Sequence, residues 1–303
     1  MNIIKYRNLF FVFSLLVIVP GIVAFFAWNL KLGIDFTGGT LWEINFTGDK
    51  ITAPVSPQEI AGSITADGGE VSQANSTGST SVLLRLKVTD DTKIKEIKTK
   101  LSETYGTTED VRLETVGPTI SRELTQKAFL AVGISILAIL TFITWSFRKI
   151  PKPASSLAFG ICTVISLVHD VIVVVGVFAI LGHFINTEVD SLFITAILTV
   201  IGFSVHDTIV VFDRIRENLI KHSGYSFEEV VNHSLLQTMG RSLNTSLTAV
   251  FVLIALLLFG GDSIKTFVLA LLVGIISGTY SSIFNAAPLL VVWSQLANAK
   301  RRS

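Results

Sequence analysis

Six runs of the chain carry apolar side chains with no sustained polar period: residues 9–30, 128–147, 155–181, 191–212, 243–259 and 264–293. Each is long enough for a helix to cross a hydrocarbon core of roughly 30 Å. The last exceeds what a crossing needs, which predicts a tilted helix or one that continues into water. Between the first two runs, residues 31–127 mix apolar and polar positions as a water-facing domain does. The pattern predicts a polytopic α-helical membrane protein with six transmembrane helices and an extracytoplasmic α+β domain between helices 1 and 2. The divisions are residues 1–30 (N-terminus and first helix), 31–127 (soluble domain), 128–293 (five further helices) and 294–303 (basic tail).

Inside the soluble domain, Leu41, Ile44 and Phe46 fall among polar residues in a strand-like stretch over 33–47. Pro57, Gln58 and Glu59 open a short helix that ends near Gly68 and Gly69. A second strand is expected over 70–75 and a turn over 76–79. Val82, Leu84, Leu86 and Val88 alternate with Leu83, Arg85 and Lys87, a strand with one buried face. Asp90 and Asp91 cap a helix that carries Ile94, Ile97 and Leu101 on one side. Val111, Leu113 and Thr115 make a final strand. The order β-α-β-β-α-β is that of a ferredoxin-like split sandwich. Residues 121–127 are polar and helix-forming, and they are expected to run unbroken into the second span as a stem able to pass movement along the chain.

Charge fits the same picture. Charged residues make up 16% of the 303-residue chain, against about 25% in soluble domains. The net charge of +1 says nothing about nucleic acid, and no nucleic-acid partner is expected; the local distribution of charge matters more. Basic residues sort by alternate connections: Lys5 and Arg7; Arg148, Lys149 and Lys152; Arg214, Arg216, Lys221 and Arg241; then Lys300, Arg301 and Arg302. The intervening short loops hold none at 182–190 and only Lys265 at 260–265. Both termini are therefore expected in the cytoplasm. The first run is too long for a signal-peptide core and lacks a small-residue cleavage site, so it reads as a retained helix.

Little here suggests covalent chemistry. The single cysteine, Cys162, permits no intrachain disulfide and no cysteine-based zinc site. The soluble domain has neither His nor Cys, and its acidic pairs, Asp90-Asp91 and Glu109-Asp110, read as solvated caps. Gly38-Gly39 and Gly260-Gly261 are turn signals without a phosphate-loop pattern. We expect no enzyme, no cofactor and no metal.

Ionisable groups within membrane spans are costly and mark function by default. His169-Asp170 interrupts the third run and His206-Asp207 the fourth. Counted from the run ends, Asp170 lies about 24 Å from the inner boundary and Asp207 about 9 Å, so the carboxylates are expected at different depths. Arg241 opens the fifth run, either as a snorkelling side chain or as the ion partner of Asp207. Gln237, Arg241, Asn244, Thr245 and Thr248 share a helical face, which favours the second reading. A carboxylate held between desolvation and a nearby arginine can change proton occupancy as helices move. Gly274, Ser277, Gly278, Ser281 and Ser282 in the last run read as close helix packing.

Several stretches resemble one family. Gly33 to Thr40, with Asp35, Phe36, Gly38 and Gly39, looks like the signature that follows the first helix in the SecF family. The stretch 202–218, with His206-Asp207-Thr208 running into Val211-Phe212-Asp213-Arg214, is closer still. His169-Asp170-Val171, the segment 237–243, and Gly117-Pro118 before the second span match as well. The resemblance covers the whole chain in order. It departs at His206, where many relatives carry Asn, and at Gly240, where bulkier residues are common.

The resemblance implies what composition does not. Such proteins belong to the resistance-nodulation-division superfamily and sit in the bacterial inner membrane. They work with SecD, the SecYEG channel, YajC and YidC on a translocating preprotein, drawing on the proton-motive force. The family's membrane Asp matches Asp207 and its membrane Arg matches Arg241. Two rival functions stay open: a proton-driven exporter of small molecules or lipids, and a non-energised scaffold of the translocon.

Overall fold

A computed structural model describes residues 2–47, 54–87, 90–222 and 224–302; the side chains at 262, 298 and 300–302 fall outside it. The chain divides into two compact units, Leu32–Ala128 and the remainder.

The smaller unit is built on a four-stranded antiparallel sheet of order β2-β3-β1-β4. Its strands are β1 (Gly39–Phe46), β2 (Val71–Ser76), β3 (Ser81–Leu86) and β4 (Thr108–Val116). Alternation sends Trp42, Ile44 and Phe46 of β1 and Val82, Leu84 and Leu86 of β3 to one face. Helices α3 (Pro57–Ala66) and α4 (Asp91–Tyr105) cover that face with Ile60, Ile64, Ile94, Ile97 and Leu101. Ser56 caps α3 by accepting from the Glu59 amide, with Pro57 at the first helical position. Asp90 caps α4, accepting from the Thr92 amide at 3.0 Å. Trp42, wholly buried, donates its indole N–H to Asp110 at 2.9 Å.

Two details differ from the expected pattern. The stretch from Gly33 is not strand: residues Ile34–Thr37 form a helical turn, α2, and β1 starts at Gly39. Gly38 (φ 73°) and Gly39 (φ 112°) make that change of direction in backbone regions that disfavour a side chain. A Cβ at Gly39 would also sit 2.5 Å from the Leu86 carbonyl. On β4, Val111 and Leu113 point away from the helices and stay exposed. Val88, expected to end the second alternating strand, lies outside the described residues.

Among the described residues, six helices are long and apolar enough to cross a membrane. They are α1 (Arg7–Trp28), α5 (Pro118–Ser146), α6 (Ser156–Ile185), α7 (Ser191–Lys221), α8 (Phe227–Phe259) and a last helix in pieces. That last helix comprises α9 (Asp262–Ser281), a π-helical turn (Ser282–Ala286) and α10 (Ala287–Arg302). Apolar run length underestimates α7, which continues as amphipathic helix after the apolar stretch stops, and α8, which is amphipathic before its apolar stretch begins. The fifth spanning helix begins at Phe227, held by a capping box between Ser226 and Glu229. Arg241 therefore lies near the middle of α8, not at its mouth.

Small residues decide how closely these helices pack. Gly21 of α1 meets Gly176 of α6 so tightly that a Cβ on Gly176 would lie 2.4 Å from the Gly21 Cα. Gly274 and Gly278 of α9 abut Val200 and Ser204 of α7 in the same way. The packing role expected for these two glycines is what the structure shows. Beyond them, the π turn places Asn285 to accept from Ser14 of α1 at 2.9 Å.

Candidate functional site

The long apolar face of α6 carries one carboxylate, Asp170, which is 1% exposed. Burying an ionised carboxylate is expensive unless its lone pairs are satisfied. Here four polar side chains surround it. Ser204 of α7 and Ser281 of α9 donate to Oδ2 at 2.7 and 2.8 Å. Ser277 of α9 donates to Oδ1 at 2.8 Å, and His169 Nδ1 lies 3.0 Å from the same oxygen. Asp170 thereby joins α6, α7 and α9 at one point. His169 is 7% exposed, and its Nε2 has no hydrogen-bond partner among the described residues.

Asp207 is 2% exposed and faces α8 and α9. Ser246 of α8 donates to its Oδ2 at 3.3 Å, and Thr279 of α9 approaches Ser246 Oγ at 2.6 Å. The hydroxyls around Asp207 are fewer and longer-bonded than those around Asp170.

The expectation of separate depths is corrected. Ser204, bonded to Asp170, precedes Asp207 by three residues on α7, an offset of about 4.5 Å along the helix axis. Both carboxylates sit near the middle of their helices, because α7 continues well past Asp213 to Lys221 and the boundary inferred from the apolar run falls short.

The expected pairing of Asp207 with Arg241 is corrected too. Among the described residues Arg241 makes no ion pair with Asp207. It is exposed, as are Gln237, Asn244, Thr245 and Thr248. These residues do share a face, but it is the outer one. The inner face of α8 carries Ser234, Thr238, Ser242 and Ser246. Thr245 and Thr248 turn their hydroxyls back onto the helix backbone, to the carbonyls of Arg241 and Thr245. His206 is likewise exposed, pointing away from the buried side of α7.

The family-motif residues Asp35 and Phe36 lie half-buried on α2 in the soluble unit, and Gly38 and Gly39 serve the turn into β1. Five hydroxyl residues at the buried carboxylates were absent from the expected site: Ser204, Ser246, Ser277, Thr279 and Ser281. For Ser277 and Ser281 a signal existed, namely i, i+4 hydroxyls in one span while another span carries a lone Asp.

Residues 96–296 match the family described as protein export membrane protein SecD/SecF, C-terminal. The protein translocase subunit SecF of Thermobaculum terrenum is 46% identical, over 96% of this chain and 93% of that one. The SecDF subunit of Bacillus subtilis is 37% identical over 95% of this chain, which spans 37% of that longer protein. The crystal structure of SecDF from Thermus thermophilus, a translocon-associated membrane protein, superposes with a TM-score of 0.81 at 31% identity. That match covers 97% of this chain and 39% of the other. With a family match over most of its length and relatives that align end to end, the chain belongs to the SecD/SecF family of protein export membrane proteins.

Proposed function

We propose that this chain is a SecF-type subunit of the Sec preprotein translocation machinery and promotes export together with SecD. In this reading it is a coupling subunit rather than an enzyme. Asp207 binds and releases the transported proton, and Arg241 completes the charge balance across the contact with SecD. The observation that carries the reading is the placement of Asp207. It is a buried carboxylate in the middle of a candidate spanning helix, satisfied by a hydroxyl and, among the described residues, by no cation of its own chain. An ionised group so placed is costly, and a change in proton occupancy alters how the surrounding helices pack.

The outer polar face of α8 supports SecD as the partner. Arg241 and Asn244 project from a candidate membrane span, where lipid offers them nothing to bond, so a second polytopic subunit is the fitting neighbour. The fusion of SecD and SecF parts in the Bacillus and Thermus proteins agrees with this arrangement. SecYEG, YajC, YidC and the preprotein are assigned by the same family reading. So are the inner membrane and two cytoplasmic termini, which the sorting of basic residues supports.

The soluble unit is assigned to the ferredoxin-like class. Its element order β1-α3-β2-β3-α4-β4, its antiparallel order β2-β3-β1-β4 and its two helices on one face favour that class. The exporter reading would want a ligand cavity of about 300 Å³ or more in this unit. The hollow between α3 and α4, lined by Asp67, Gly69, Lys93 and Lys100, has about 100 Å³. A larger hollow of about 430 Å³ in the membrane unit is lined chiefly by apolar side chains such as Phe13, Val17 and Ile276, which suits lipid chains.

Export of a secreted reporter in cells carrying Asp207→Asn, with SecD present and equal amounts of protein in the membrane, tests the proposal. Export is expected to fall to the level without the subunit. Normal export would make the chain a scaffold.

A further inference from the structure

The two buried carboxylates differ in whether the hydroxyls around them have somewhere else to turn. A Ser or Thr hydroxyl has one hydrogen to donate and two lone pairs to accept with. At Asp170, Ser204 and Ser277 each donate to the carboxylate and have no second acceptor among the described residues. Ser281 has an alternative in the Gly278 carbonyl at 3.2 Å, longer than its 2.8 Å bond to Asp170. Such a shell fixes the Asp170 carboxyl between three helices.

At Asp207 each hydroxyl has a choice. Ser246 Oγ lies 3.3 Å from Asp207 Oδ2 and 2.9 Å from the Ser242 carbonyl. Thr279 Oγ1 lies 2.6 Å from Ser246 Oγ and 2.8 Å from the Ile275 carbonyl. One hydrogen on each oxygen cannot serve both acceptors.

We infer that Ser246 and Thr279 form a two-position hydroxyl relay that follows the charge of Asp207, with Thr279 on the last helix as a positioning residue for proton exchange. With Asp207 ionised, Ser246 donates to the carboxylate while its oxygen accepts from Thr279. With Asp207 protonated, the carboxylic O–H donates to Ser246 Oγ, Ser246 turns its hydrogen to the Ser242 carbonyl, and Thr279 is free to turn to Ile275. The one covalent change is the Asp207 O–H bond, made when a transported proton arrives and broken when it leaves; the hydroxyls only rotate and exchange hydrogen bonds. Both states are satisfied without displacing a helix, and Thr279 carries the change to α9, the helix that also holds Asp170 through Ser277 and Ser281.

Ser246 is the hydrogen-bond partner of Asp207 among the described residues. From α8 the inner face offers Ser242 and Ser246, with Arg241 turned outward. From α9 it meets Thr279, while the Tyr280 hydroxyl donates to the Phe10 carbonyl of α1. From α6 come the titratable neighbours His169 and Asp170, the latter engaged by Ser204. On α7 itself His206 is exposed.

This inference rests on Asp207 as the proton carrier, and its test separates the two. Membranes holding the full chain with SecD are studied by infrared difference spectroscopy as pH is varied, and by reporter export over the same range. The protonated-carboxyl band that Asp207→Asn abolishes is the band of Asp207. Thr279→Val is expected to shift that band, to change proton occupancy at fixed pH by about 2- to 10-fold, as one hydrogen bond would, and to displace the pH profile of export. Thr279→Ser should restore both, and Ser246→Ala should reproduce the band shift from the α8 side. An unmoved band in Thr279→Val and in Ser246→Ala overturns the relay and leaves Asp207 as carrier. A Thr279→Ser variant as impaired as Thr279→Val reduces the position to packing and overturns it as well. If Asp207→Asn removes no band, the proton reading of Asp207 fails, and the relay with it.

Discussion

Ser204 of α7 donates to Asp170 of α6 at 2.7 Å, and Asp207 follows Ser204 by one turn of the same helix. The two buried carboxylates of the membrane unit therefore meet α7 one turn apart, tied from the other side by α9. Their shells differ: Asp170 is bonded by hydroxyls from α7 and α9 and so ties three helices together, whereas Asp207 is bonded by Ser246 of α8, and under the proposal above it is the group that exchanges a proton.

Neutralising Asp170 should cost stability. In Asp170→Asn an amide N–H₂ replaces an oxygen that accepts two hydrogen bonds, and donors are left facing donors. A buried donor without a partner costs about 1–3 kcal/mol. Thermal unfolding in detergent should show that loss, with Ser277→Ala milder. An Asp170→Asn protein as stable as the parent would mean that the carboxyl is held neutral.

The α1–α6 crossing should be intolerant of a methyl group on one side in particular. At Gly176 the added Cβ would sit 2.4 Å from Gly21 Cα, whereas at Gly21 it would sit 3.1 Å from Gly176 Cα. Overpacking of this kind costs about 1–3 kcal/mol. Gly176→Ala should unfold at lower temperature than Gly21→Ala; the reverse order would contradict the close approach of the two helices.

Arg241 should matter to association and not to the fold of the chain. It is exposed in the middle of α8 and makes no ion pair among the described residues. Arg241→Ala should leave unfolding within about 0.5 kcal/mol of the parent, as exposed substitutions do. It should also reduce co-purification with SecD. A large loss of stability in the isolated chain would place the side chain inward instead.

The cap of α4 gives a pH prediction. Hydrogen bonds from the Thr92 hydroxyl and amide hold the Asp90 carboxyl below the usual aspartate range. A group with a depressed folded value contributes stability above its unfolded value and loses it as pH falls through the folded one. Amide exchange at Thr92 should therefore be faster in Asp90→Ala than in the parent at neutral pH. The two rates should converge in acid, below the ordinary range of an aspartate. Equal rates at neutral pH would remove the cap from the account of α4.

Much of the fold is legible in the chain because its signals are local. The apolar runs locate all six candidate spans, and alternation at Val82, Leu84 and Leu86 marks β3. The differences arise where locality ends. The 33–47 stretch reads as strand, since nothing in its composition announces the helical turn that Gly38 and Gly39 bring to a stop. The start of α8 escapes an apolar-run criterion because residues 227–241 are amphipathic.

For the site, the residue pattern alone puts Asp170 and Asp207 in apolar helices, where an ionisable group demands compensation. It also puts Gln237, Arg241, Asn244, Thr245 and Thr248 on one side of α8. Which side that is depends on the folded bundle. Helical period relates residues to one another but not to the bundle axis, and the rotation of α8 depends on contacts with α7 and α9. Those contacts turned Ser242 and Ser246 inward and Arg241 outward. They also brought Ser277 and Ser281, 107 and 111 residues from Asp170 in sequence, onto that carboxylate, and Thr279 onto the hydroxyl that serves Asp207.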